Sequence, residues 1–147
     1  MTAHTFLFEE GVWEVSGQTI DEDGEVRESP GDARIVHWPG VWLIETKLTG
    51  VDESESSESS LEVVPATDDT DHTSWTAFDS RTGKQHGHFV FVNDTILSIF
   101  ECSEGAHRGT EVLRKLEDDV YESIGAHFDG DRKVASWTRR LTRRSPA

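Results

Sequence analysis

Cysteine is almost missing from these 147 residues: Cys102 stands alone, so no internal disulfide can form and no cysteine-based zinc cluster can be assembled. The fold has to stand on its own core. Long apolar runs are missing too, since no stretch approaches the roughly 18 consecutive residues a membrane-spanning helix needs. The segment Met1–Glu10 lacks the basic stretch and long apolar stretch of a secretory signal. The expectation is a soluble, cytoplasmic protein with no membrane partner. Cations are scarce: 14 Lys+Arg against 29 Asp+Glu leave a formal net charge of −15, which repels nucleic acid and predicts none as a partner. Lysine occurs only at 47, 84, 115 and 133, and this acidic, arginine-over-lysine composition fits a halophile's protein as well as an ordinary acidic one. There is no nucleophile elbow, no phosphate-binding glycine loop and no HExxH helix. No catalytic residue is therefore assigned.

What is abundant is punctuation. Turn-type clusters recur at Asp21–Gly24, Pro39-Gly40, Arg81–Lys84, Asn93-Asp94, Ser103–Gly105, Glu117–Asp119 and Asp129–Asp131. Between them lie short segments rich in Val, Ile, Trp, Phe and Thr. Turn signals every eight to twelve residues or so, with no apolar stripe at helical period, predict an all-β protein. Ten strands are expected, at about 11–20, 25–37, 41–49, 60–65, 73–79, 85–92, 95–102, 107–116, 120–128 and 132–143. Short hairpins make such a chain a meander, and a long meander hides its edges by closing into a barrel. The length supports one domain, 1–147. Pro30-Gly31 should break or bulge the second strand, and Leu7 and Phe8 are placed to cap one end. Gly50–Ser60 is nearly all Ser, Glu and Asp; it predicts a mobile acidic loop, acting as a lid or simply solvated.

Gly11-Val12-Trp13 opens the first strand, and a tryptophan there can plug the narrow end of a barrel. Together with a short N-terminal lead and an arginine beside Trp137 on the last strand, this G-x-W resembles the lipocalin-like, or calycin, superfamily. The resemblance implies a closed barrel like those of lipocalins and fatty-acid-binding proteins. In it the strand-one Trp, here Trp13, packs against a last-strand Arg. Arg139 is chosen for that role because it shares a strand face with Ala135, Trp137 and Leu141, with Arg140 as the fallback. Without a disulfide pair or an apparent signal segment, the chain looks closest to the intracellular, uncharacterised bacterial and archaeal branch.

Ten strands should enclose a cavity, the default binding site of a small barrel. Trp42, Trp75, Phe89, Phe91, Phe100 and Tyr121 are expected to line it. Trp13, Val15, Gly17 and Thr19 should face inward, but the segments around Leu43 and Val90 are apolar on both faces, so their inward side is open. Such two-sided strands suggest an outer wall covered by a second subunit, making a homodimer. His86 and His88, at i and i+2, project from one face and could share a metal with His127 or a carboxylate. The resemblance to the nitrobindin-like branch implies an axial haem histidine as an analogy, with no matching motif around His37, His86, His88, His107 or His127. Equally, His86 and His88 fit exposed polar positions. Glu45, Asp79, Glu101, Glu111, Tyr121 and Glu122 lie in predicted strands, where burial could tune one as an acid or base. The last strand, Arg132–Arg144, carries six cations and no acid, for an anion or for pairing with acidic neighbours. The function this supports is binding of a small, largely apolar ligand. The alternatives are a small calycin-type enzyme, lyase-, isomerase- or cyclase-like, using a buried carboxylate, His or Tyr, and a barrel binding haem or metal.

Overall fold

A computed structural model describes residues 4–49, 57–67, 69–79 and 83–145. These form β1 (Gly11–Asp21), β2 (Val26–Glu28), β3 (Gly31–Trp38), β4 (Val41–Leu48), β5 (Ser57–Val63) and β6 (His72–Asp79). The second half adds β7 (Gly83–Val92), β8 (Thr95–Cys102), β9 (His107–Glu117), β10 (Val120–Asp129) and β11 (Arg132–Arg143). From β3 to β11 each strand pairs antiparallel with the next, and β1 pairs with β3 on one side and β11 on the other. Ten strands thus close an antiparallel meander barrel. The closure runs from Trp13 opposite Arg143 to Asp21 opposite Ala135, so the first and last strands of the barrel pair with each other instead of presenting edges.

The short β2 prolongs β3 along β1. Its pairing of Ile20 with Val26 lies in the same register as that of Gly11 with Ile35, and the Ser29 N–H donates to the Gly17 carbonyl at 3.0 Å between them. Pro30 therefore interrupts the ladder by its missing N–H, with no residue inserted. The segment is broken, not bulged. The strand expected at 60–65 begins earlier, at Ser57, so Ser57–Ser60, expected in the acidic loop over 50–60, belong to a strand. Gly50–Ser56 lies outside the described residues. In Ser59 and Leu61 the strand has the inward positions that make its alternation useful, despite the serines and glutamates around them.

One end of the barrel is filled. Trp13 is fully buried and meets Phe6 and Tyr121 edge-on, with ring centroids 5.4 and 5.5 Å away. The lead segment before β1 enters the barrel and brings His4, Phe6 and Leu7 into the core. Leu7 adopts a left-handed backbone (φ 75°), held in place because its carbonyl accepts a 2.7 Å hydrogen bond from His37 Nε2. Phe8 closes against Trp42 and Phe91. The lead segment is thus a plug.

The arginine at this end is not the one expected. Arg143 lies directly opposite Trp13, places its guanidinium 5.9 Å from the ring and donates to Glu9 and to the Glu10 carbonyl, each at 3.0 Å. Gly11 is small because this side chain passes it: a Cβ there would meet Arg143 Nε at 3.1 Å. Arg139, Arg140 and Trp137 do not take part. Arg139 and Trp137 sit further along the strand, facing inward opposite Gly17 and Thr19, and Arg140 faces outward beside Glu122. Other cations at the two ends of β11 pair with acids nearby: Arg144, just past the strand, with Glu14, and Arg132 with Glu22 and Asp129.

The plug contains a buried titratable pair. His4 Nδ1 and the Tyr121 hydroxyl are 2.6 Å apart, and the Thr5 N–H donates to the same oxygen. Burial raises the Tyr121 pKa, so the phenol keeps its proton and donates to His4 Nδ1. Burial likewise lowers the His4 pKa from 6.5, with Lys115 nearby acting in the same sense and Asp94 opposing it. Because the unfolded chain takes up the proton at higher pH than the folded one, stability present above pH 6.5 falls as the pH drops below it. Urea midpoints measured between pH 7.5 and 5 should decline, and His4→Gln should flatten the decline; equal slopes for the two proteins would contradict this role.

Candidate functional site

Alternation settles the inward set. From β4 it is Trp42, Ile44, Thr46 and Leu48; from β7, Gln85, Gly87, Phe89 and Phe91; from β8, Ile96, Ser98, Phe100 and Cys102. Between the plug and the open end these side chains leave a cavity of about 240 Å³. Its floor is Phe6, and its apolar wall includes Val15, Ile44, Leu61, Phe89, Leu113 and Leu141. Of the six residues expected to line it, Trp75, Phe89 and Phe100 do. Trp42, Phe91 and Tyr121 do not: they face inward but one or two turns of the pleat lower, where the plug covers them.

Three rings shape the upper wall by lying along it. Trp75 is opposite Gly87, Phe100 opposite Gly109 and Trp137 opposite Gly125, each pair spanning adjacent strands. In all three a Cβ on the glycine would fall well inside van der Waals contact with the ring. The missing side chain is where the ring rests. Flat on the wall, these aromatics leave the middle of the barrel open, whereas upright rings would fill it.

Two charges enter this apolar space. Glu111, on β9, accepts hydrogen bonds from Ser123 Oγ at 2.6 Å and Trp137 Nε1 at 3.0 Å through one carboxylate oxygen. Arg139, on β11, donates from Nη2 to Thr19 Oγ1 at 3.2 Å, and its guanidinium lies 4.9 Å from the Trp137 ring. Its Nε–H is buried and meets no acceptor. Burial lowers the Arg139 pKa, and the negative charge of Glu111 partly offsets that. A guanidinium stays charged in any protein environment. The cavity therefore holds a desolvated cation with donors to spare.

The sequence named Glu111 among six strand residues, and the structure separates them. Glu111 reaches the cavity, Tyr121 is in the plug, and Glu45, Glu101 and Glu122 lie on the outer wall, while the side chain of Asp79 lies outside the described residues. Ser123, Gly109 and Gly125 were not anticipated. Glycine in the middle of a strand was the available signal, because it costs stability unless something packs over it. His86 and His88 do share a face, but it is the exposed outer one, where His86 approaches Glu101 at 3.7 Å. His127 points the other way, into the mouth, with its Nε2 2.9 Å from His107 Nδ1. No metal site joins these three, and among the described residues no cluster of three or more His, Cys, Asp or Glu side chains occurs. Cys102 is buried and free.

No family model matches the chain, and no curated protein matches it in sequence. Solved structures do match it in shape. The S-type phycobiliprotein lyase CPES from Guillardia theta superposes with a TM-score of 0.72, covering 100% of this chain and 95% of that one, at 11% sequence identity. The fold is a lipocalin-like barrel. At that identity the likeness concerns the fold, and the site has to be read from its own residues. Among the described residues no helix is long and apolar enough to cross a membrane.

Proposed function

We propose that the protein binds one small, largely apolar ligand in the barrel cavity, oriented by an anionic group on the ligand that Arg139 receives. The observation that carries this reading is the buried Arg139 Nε–H without an acceptor, set in a cavity whose walls are mainly apolar. A buried donor left unmet costs about 1–3 kcal/mol, and an anion would recover that as a charge-assisted bond. The rings of Trp75, Phe100 and Trp137, lying flat, favour a flat ligand. A volume of about 240 Å³ is below the roughly 300–1,000 Å³ of sites for drug-sized molecules, so a ligand of one or two fused rings fits inside and a longer one would extend through the mouth.

A second reading draws on Glu111. Its carboxylate is fixed by two donors and stands in the cavity with Arg139, an arrangement able to exchange a proton with a bound substrate. One structural neighbour is a phycobiliprotein lyase, which keeps a lyase-type activity as the alternative. The single cysteine favours the intracellular branch of the superfamily.

Titration with 2-naphthoate and its neutral counterpart 2-naphthamide, followed by calorimetry and by quenching of tryptophan fluorescence, tests the proposal. The acid should bind one-to-one and at least about tenfold more tightly, as a charge-assisted hydrogen bond implies. No binding of either compound, or equal binding of both, would overturn it.

A further inference from the structure

The outer wall carries a face that the cavity does not explain. Across β8, β9 and β10 the register aligns Leu97 with Val112 and Ile124, and beside that row Ile99 with Thr110 and Ala126. All six point outward and none is charged, in a chain where 29% of residues are charged. Ile99, Val112 and Ile124 are 56%, 38% and 58% exposed. A shallow hollow of about 390 Å³ adjoins them, bordered by Ile99, Arg108 and Phe128. Charges return only in the rows above and below. Arg114 is opposite Glu122 on one side of the uncharged band, and on the other Glu101, Arg108, Phe128 and Lys133 follow one another across four strands.

We propose that this face binds a second copy of the chain, through a two-fold axis parallel to the strands and midway between β9 and β10. Such an axis lays β9 of one subunit over β10 of the other and keeps each row over itself. Val112 then meets the partner's Ile124, Arg114 meets the partner's Glu122, Arg108 meets the partner's Phe128 and Glu101 meets the partner's Lys133. Every contact is made twice, as a two-fold interface requires. Along the two central rows only uncharged side chains meet, with Leu97 and Ile99 lying over the partner's Thr138 and the partner's Ser136, and every flanking charge except Arg140, which meets the partner's Thr95, faces an opposite charge or an aromatic ring.

The charge distribution favours a copy over another acidic surface. The chain as a whole carries −15, but on these four strands the outward cations at 108, 114, 133 and 140 outnumber the anions at 101 and 122, with Asp94 beside Arg114 at 3.5 Å. Self-association through this face therefore avoids the repulsion that the chain's overall charge would impose. Four strands about 4.8 Å apart and four rows about 6.8 Å apart cover about 500 Å² per subunit, or about 1,000 Å² in all. That is the lower end of a specific interface, so the dimer should dissociate in the micromolar range.

Sedimentation equilibrium of the full chain at about 1–200 µM measures this directly. The wild-type protein should show a monomer–dimer equilibrium, and Ile124→Glu, a change at an exposed position, should leave it monomeric with an unchanged circular dichroism spectrum. Arg114→Glu alone and Glu122→Arg alone should each weaken the dimer at least about tenfold, whereas the double reversal should restore it to within about threefold. A chain monomeric throughout that range, which would leave the face to a different partner, overturns the proposal. So does a dimer indifferent to Ile124→Glu, or a double reversal no tighter than the single ones.

Discussion

Replacing Trp13 with alanine should destabilise the protein by about 3–5 kcal/mol, the cost of deleting a fully buried indole whose surroundings can collapse only partly. The surroundings are held from three directions: Phe6 comes from the plug, Tyr121 from β10 and Arg143 from β11. None can move inward without breaking its own contacts, and Tyr121 is tied to His4 and Thr5 by hydrogen bonds. For a chain of this length the melting temperature should drop by about 10–15 °C. Trp13→Phe should cost much less. It keeps most of the burial and removes an indole N–H that meets no acceptor in the native state. Phe78→Ala provides the control, because Phe78 is 76% exposed and its loss should stay within about 0.5 kcal/mol. Denaturant melts that put Trp13→Ala within about 1 kcal/mol of wild type would show that the plug does not depend on it.

Arg139→Met should do the opposite: leave stability intact and remove ligand preference. Methionine matches the length of the side chain's stem while deleting its charge; removing a buried cation with an unmet donor offsets the loss of its attraction to Glu111, whose carboxylate keeps its bonds from Ser123 and Trp137. The binding advantage of 2-naphthoate over 2-naphthamide should shrink from at least about tenfold to within about threefold, with the amide's own affinity nearly unchanged. A structural role in closure, as the sequence implied for Arg139, makes the reverse prediction of a large loss in melting temperature and no change in preference. An advantage that survives the substitution would place the anion elsewhere. The two substitutions thus separate the two halves of the barrel, the filled end that holds it together and the open end that can hold something else.

That division was only partly visible in the order of residues. Trp75, Phe89 and Phe100, three of the expected wall residues, stand along the cavity because each occupies an inward position far from the plug. Trp42, Phe91 and Tyr121 have the same aromatic character and the same inward orientation, and differ only in height along the barrel axis. Height depends on where the lead segment ends, and the positive φ of Leu7 that stops it there is not signalled by a glycine. Metal ligation by His86 and His88 failed on orientation. Their shared face was legible from the i, i+2 spacing, but the strand is apolar on both sides, so spacing could not say that Phe89 faced the core and the histidines did not.

What the sequence determined by itself was the barrel: strand after strand bounded by turn residues, an unbroken meander, a break at Pro30 and a tryptophan closing one end. These are local properties, set by backbone preferences and by hydrophobic alternation within a few residues. What the tertiary structure decided was the sign of each face and the register of closure. Trp13 and its arginine lie on the first and last strands of the barrel, and which of Arg139, Arg140 and Arg143 reaches it depends on the stagger accumulated over every pairing between. A slip of one residue turns an arginine from inside to outside, and a slip of four carries it from the plug to the cavity. Closure put Arg143 on Trp13, and so left Arg139 charged, buried and unmet where a ligand can reach it.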